Sequence, residues 1–245
     1  PLTASSYAAS NARRSSSLIA ICPAYRAAPV HSPPMPDLPN LVVFDHPLIQ
    51  HKLTSIRSIE TGHRPFRALM AQIAGLMVFE VTRSFPTERI DIQTPMERTT
   101  GVHITATITV VPVLRAGLGM AQGILEVMPE ARMGHLGLVR DETTLEPKTY
   151  LEKLPPDLNA GPVVLVDPML ATGGSAEAAV TILKRAGAAD LRMICLVAAP
   201  DGARRLHAAH PDVMVYAAAL DRETDERGFI RPGLGDAGDR LYGTG

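Results

Sequence analysis

Tryptophan is absent from the 245-residue chain, aromatic residues make up only 4% of it, and cysteine occurs twice, at Cys22 and Cys195. So few aromatic rings argue against a base-stacking platform for single-stranded nucleic acid. Two cysteines build neither a disulfide framework nor a thiolate metal cluster, which suits a reducing compartment. No apolar run reaches the roughly 18 residues that a membrane-spanning helix needs. An excess of one charge is missing too: 24 Lys and Arg face 25 Asp and Glu. That balance speaks against a general nucleic-acid or polybasic membrane binder. What is present is 46% apolar residues, enough for the core of one large domain, expected to be cytoplasmic.

The acids are unevenly spread. Residues 1–36 contain none, and they hold Arg13, Arg14 and Arg26 among Ala, Ser and Pro. Such a stretch buries too little surface to offset its ordering entropy, so it is expected to be disordered or dispensable. Arg13-Arg14 before Leu18–Ile21 faintly resembles a secretory leader, but the run is short and Pro23 closes it. The acid-free composition also fits a transit peptide. The folded domain is expected over 37–245.

There the pattern alternates between helix and strand. Phe66, Leu69, Met70, Ile73, Leu76 and Met77 recur at spacings of three and four, one buried helix face over 64–80. Residues 89–111 read as two strands in a long hairpin broken by polar residues 94–101, with 106–111 as its second, fully covered strand. Buried strands follow at 161–167, 191–198 and 213–219, separated by helices over 176–186 and 202–210. This order predicts an α/β fold with a mainly parallel central sheet flanked by helices.

Ligands of open parallel sheets bind beyond the carboxyl ends of the strands, so the segments there carry the chemistry. The first is Asp167-Pro168-Met169-Leu170-Ala171-Thr172-Gly173-Gly174-Ser175, between a buried strand and a helix. Its glycines permit a tight turn and the helix offers amides to an anion. Thr172 or Ser175 is a candidate cap, and Asp167 a candidate acceptor for ribose hydroxyls. A plain capped turn is the blander reading, but it rarely combines two glycines, two hydroxyls and a carboxylate. No Gly-Lys-Ser/Thr follows, so this is not a nucleoside-triphosphate P-loop.

The second segment, Val111–Met120, places Arg115 in an apolar run beside Gly117 and Gly119. Burying that cation demands a partner, a phosphate or pyrophosphate, or else a structural ion pair. The third, Gly228–Arg240, contains G-x-G-x-x-G at Gly233–Gly238, but only seven residues follow, too few for a dinucleotide-binding unit. Its glycines instead suit a loop that approaches a flat ligand closely. His207 and His210 lack the Glu of a zinc-protease helix and read as a solvated helix end, while Cys195 reads as inert core.

Together these segments, with Asp45–Leu53 and Arg140–Pro147, resemble the uracil phosphoribosyltransferase family over residues of about 40 to 245. The resemblance implies the type I phosphoribosyltransferase fold with a β-hairpin arm and a C-terminal base-binding loop. It implies conversion of uracil and 5-phospho-α-D-ribose 1-diphosphate (PRPP) to UMP and pyrophosphate. Asp167 to Ser175 would then bind the ribose 5-phosphate, and Arg115, with Arg140, the pyrophosphate. Ile230, Gly235, Asp236 and Ala237 would recognise uracil, with Asp236 also contacting PRPP. Arg115 and Asp236 would be the catalytic pair. Mg²⁺ would be held through substrate and water near Asp236, with no direct protein ligand.

The resemblance further implies a homodimer or homotetramer built on the hairpin at about 89–105, and GTP as an effector in some members. Phe229 stands where many relatives have Tyr, and Arg231 adds a charge beside Ile230. A non-catalytic regulator of the same fold would need a basic RNA-binding face, which the balanced charge does not supply. A purine-specific enzyme would lack the 232–240 loop.

Overall fold

A computed structural model of the chain describes residues 37–140 and 147–244. The acid-free stretch 1–36, the segment 141–146 and Gly245 lie outside the described residues, as do the side chains of Arg140 and Pro147.

The elements run β1 (Leu41–Val43), α1 (Pro47–Arg57), α2 (His63–Val81), β2 (Thr87–Gln93), β3 (Arg98–Ile104), β4 (Thr109–Leu114) and α3 (Gly117–Val127). They continue with β5 (Arg132–Met133), β6 (His135–Arg140), β7 (Pro147–Lys153), β8 (Val163–Val166), β9 (Met169–Leu170) and α4 (Gly174–Arg185). The last are β10 (Leu191–Ala198), α5 (Pro200–Ala209), β11 (Met214–Leu220), β12 (Glu223–Thr224), β13 (Ile230–Arg231) and α6 (Ala237–Tyr242). The central sheet has the order β1-β11-β10-β8-β4-β6-β7, parallel throughout except for β7.

Strand β8 shows why its sequence is apolar without alternation. Val164 and Val166 face the layer formed with α2 and α3, beside Met70, Met120 and Ile124. Val163 and Leu165 face the other layer, beside Ala179 and Leu183 of α4. A strand covered on both faces has no polar side to present. The stripe on α2 sits as its spacing predicts: Phe66, Met70, Ile73 and Met77 are fully buried, while Leu69 and Leu76 pack partly buried at its edges.

The hairpin differs from the expected pairing. Strand β2 pairs with β3, Thr87 opposite Ile104 through Gln93 opposite Arg98. The reversal is the four residues Thr94–Glu97, where the Thr94 hydroxyl accepts from the amides of Met96 and Glu97. Half of the supposed polar break is therefore strand, because Thr99, Thr100 and Val102 are β-branched and suit an exposed ladder. The apolar run after it belongs to β4 in the central sheet, where Thr109–Val113 are buried. No helix among the described residues is long and apolar enough to cross a membrane.

Phe66 lies under the Arg240 guanidinium, 4.5 Å from ring centroid to carbon, with none of its surface exposed. Phe66→Ala is expected to lower unfolding free energy by about 3–5 kcal/mol in denaturant titration; a loss under about 1 kcal/mol would show that the stripe is not the centre of this layer.

Candidate active site

Strands β4 and β8 are neighbours, with Pro112 opposite Val166, so the residues that follow them emerge side by side at one edge of the sheet. These are Arg115 and Asp167. The 228–240 loop roofs the same edge. Between them is a cavity of about 330 Å³, lined from below by Arg115, Asp167, Met169, Ala171 and Ser175 and from above by Phe229 and Gly235–Gly238.

Asp167 directly follows β8, and its Oδ1 accepts from the Met169 amide at 3.3 Å. Desolvation at the cavity floor outweighs that hydrogen bond and pushes its carboxyl up to about 7. Pro168 and Leu170 turn away from the cavity. The Pro168 carbonyl accepts from the amides of Leu196 and Val197, both at 3.1 Å, and Leu170 lies buried in β9 against β10. The chain then turns at Gly173, whose φ of +82° is a left-handed conformation. A Cβ there would meet the Gly202 carbonyl oxygen at 2.8 Å, so the turn and its contact with α5 both require glycine.

Gly173, not Thr172 or Ser175, is the N-cap of α4, and it supplies no side-chain acceptor. The first-turn amides of α4 are thus left to an incoming anion. Beside them Arg205 Nε donates to Glu177 Oε2 at 2.6 Å, which ties α5 to the start of α4.

Arg115 corrects the argument from burial. Strand β4 stops at Leu114, so the side chain lies beyond the sheet and is 59% exposed at the cavity mouth. A 3.8 Å ion pair with Asp239 and the Tyr242 ring, 5.6 Å away, hold it loosely. Gly117 and Gly119 also have another use. They begin α3, and a Cβ on Gly119 would meet the Met70 sulfur at 2.7 Å, so they allow helices to pack closely. Arg140 ends β6, next to β4 in the sheet.

The roof is fixed by residues that local motifs do not reveal. Both carboxylate oxygens of Asp221 accept from Arg57, at 2.6 and 2.8 Å, and Oδ2 also accepts from the Gly233 amide at 2.9 Å. Arg57 in turn donates to the Gly233 carbonyl at 2.6 Å. Arg240 donates to the carbonyls of Ile56, Ser58, Thr61 and Leu234 at 2.6–3.2 Å. These anchors set the Gly235 backbone, with φ +79°, at the cavity. Asp236 caps α6 by accepting from the Asp239 amide at 2.9 Å, and Ala237 is buried just inside that helix. Ile230 is buried in β13 and lines a second, adjoining cavity of about 880 Å³, which shares Phe229 and Gly235 with the first.

Cys195 is fully buried in β10, and burial pushes its thiol up, so it is inert. His210 is not simply solvated: its ring lies 3.2 Å from the Thr181 hydroxyl and 3.3 Å from Lys184 Nζ. Among the described residues no three His, Cys, Asp or Glu side chains gather into a metal site. Asp167 and Asp236 do line one cavity, and their hard oxygens fit a magnesium ion that keeps its waters and rides on substrate phosphates.

A turn that leaves helix amides uncapped and an arginine, on adjacent parallel strands and roofed by a backbone-rich loop, suit an α/β protein to a phosphorylated ligand. The comparison with known proteins is more specific. The family model for uracil phosphoribosyltransferase matches residues 42–244. A uracil phosphoribosyltransferase of Listeria innocua is 53% identical over 206 residues, covering 84% of this chain and 99% of that relative. One from Bacillus pumilus is 52% identical with the same coverage. Among solved structures, the AQ2163 protein of Aquifex aeolicus aligns with a TM-score of 0.79 and 34% identity, over 83% of this chain and 98% of that one. The chain belongs to the uracil phosphoribosyltransferase family.

The raised Asp167 carboxyl has a consequence for the free protein. The fold retains a proton that the unfolded chain has lost between about pH 4 and pH 7, so ionisation of Asp167 removes stability as pH rises through that window. Asp167→Asn is expected to melt several degrees above the parent at pH 8, with the gap closing towards pH 4. A gap that does not change with pH would contradict the desolvated carboxylate.

Proposed function

We propose that the protein transfers the phosphoribosyl group of PRPP to uracil, releasing pyrophosphate and forming UMP. The observation that carries this reading is the 53% identity that extends over 99% of a uracil phosphoribosyltransferase. The cavity residues then take the following roles. The amides that follow Gly173, with Ser175, receive the 5-phosphate, and Asp167 accepts from the ribose hydroxyls. Arg115 and Arg140 hold the pyrophosphate. Gly235, Asp236 and Ala237 present backbone donors and acceptors to the edge of uracil, with Ile230 behind them.

In this reading the C1–O bond to pyrophosphate loosens before the uracil nitrogen attacks, and positive charge builds on the ribose carbon. The chain's work is to bring the two reactants together and to stabilise charge on the leaving group through Arg115 and Arg140. Magnesium, when bound, adds neutralisation of the diphosphate, and Asp167 and Asp236 are the carboxylates that would face its waters. GTP as an effector and assembly as a homodimer or homotetramer belong to the same proposal. The exposed Met96 and Val102 of the β2–β3 hairpin support the second.

Purified protein supplied with PRPP, Mg²⁺ and single nucleobases is expected to form UMP from uracil and nothing from purines; turnover of a purine, or none at all, would sink the reading. Asp236→Asn keeps an acceptor for the α6 cap and removes the charge. It is expected to keep its melting temperature and to lose about 100-fold or more in kcat/KM.

A further inference from the structure

The two arms of the β12–β13 hairpin meet in only two pairs, Glu223 with Arg231 and Thr224 with Ile230. So short a ladder is not stable by its own hydrogen bonds. Backbone bonds extend it, from the Arg222 amide to the Arg231 carbonyl at 3.0 Å and from the Asp225 amide to the Phe229 carbonyl at 2.8 Å, and one side chain ties the two arms together. Asp225 Oδ1 accepts from the amides of Arg227 at 3.0 Å and Phe229 at 2.9 Å, which shapes the turn. Its other oxygen, Oδ2, accepts from Arg231 Nε at 3.0 Å and Nη2 at 2.5 Å. The two oxygens thus divide the work: one forms the turn, the other clamps the returning strand.

The clamped strand matters because of its neighbours. Ile230 is flanked by Phe229 and Arg231, and both Phe229 and Ile230 line the cavity of about 880 Å³ beside the phosphate site. Phe229 also lines the smaller cavity, so it stands at the seam between the two. A shift of the returning strand would move Phe229 and Ile230 together.

We propose that Arg231 and Asp225 are positioning residues for the base: their ion pair holds Phe229 and Ile230 at the distance that uracil requires. Neither touches the reacting atoms. The proposal rests on the reading of Ile230 and Gly235–Ala237 as the uracil site. Because Arg231 is 57% exposed and Asp225 only 20%, the pair is half in solvent and open to screening by salt.

The test uses the full-length protein at saturating PRPP and Mg²⁺. Arg231→Ala and Asp225→Asn each remove the clamp while keeping a turn-forming acceptor at 225. Each is expected to raise the uracil KM about fivefold, with kcat and the PRPP KM within about twofold of the parent. The double variant is expected to be no worse than either single one, and Arg231→Lys to fall between parent and Arg231→Ala. Raising salt from about 0.05 to about 0.5 M should lift the parent's uracil KM towards that of Arg231→Ala, whose own value stays flat.

Amide exchange at Arg227 and Phe229, which needs no substrate, should quicken in Asp225→Ala and much less in Asp225→Asn. A parent that turns over uracil while Arg231→Ala keeps its uracil KM would overturn the clamp alone. A parent without uracil turnover would overturn the site reading, and the proposal with it. Equal losses in kcat and in both KM values would assign the pair to general stability and also overturn it.

Discussion

The carboxylate of Asp221 holds the candidate site together. It stands just past the end of β11, 93% buried, and receives three hydrogen bonds, two from Arg57 and one from the Gly233 amide. A charge so placed is tolerable only because each oxygen is paired, and removing one partner of such a pair typically costs about 3–5 kcal/mol. The bonds join three distant parts of the chain: the last residue of α1, the edge of the sheet and the loop that roofs the cavity. With Arg240 gripping carbonyls in the last turn of α1 and just beyond it, that loop becomes a fixed wall. In the proposed reading the edge of uracil offers carbonyls and N–H groups, and a wall whose backbone groups are already aimed can match them with little ordering cost.

The opposite wall is built by different means. Neighbouring parallel strands deliver Arg115 and Asp167 to one place through sheet register alone, and the turn at Gly173 exposes helix amides there. Beyond Pro36 the chain carries 21 basic and 25 acidic side chains, a formal charge of −4. In the proposed reading a densely anionic donor gains nothing from the bulk field of the protein and depends on these few aimed groups. Exposure of Arg115 at the mouth fits that arrangement. In the proposed reading an exposed guanidinium on a long side chain can reach out to a diphosphate at the mouth.

Much of the fold was legible in the sequence because its period is local. The α2 stripe and the doubly covered strands β8 and β10 lie where their spacing puts them. The strand-end motifs were legible for the same reason, since Asp167 to Ser175 is one continuous segment. What escaped was set by packing. The partner of β2 depended on whether Arg98–Gly101 paired or looped, and exposed threonines carry little hydropathy signal. Gly117 and Gly119 resemble a ligand loop in sequence, yet their use is the close approach of α3 to β8 and α2. Arg57 and Asp221 lie 164 residues apart, so no spacing links them. The one available clue was an acid directly after a buried strand, the same signal that marked Asp167.

In the proposed reading the wall held by Asp221 and the turn at Gly173 take the two ends of one nucleotide. An experimental structure of the protein with UMP and magnesium tests it most directly. The phosphate is expected on the amides of Gly174 and Ser175 and the uracil edge against the backbone of Gly235–Ala237, with the Arg57–Asp221 pair intact. A base lodged away from that loop, or a phosphate held elsewhere than the start of α4, would contradict it.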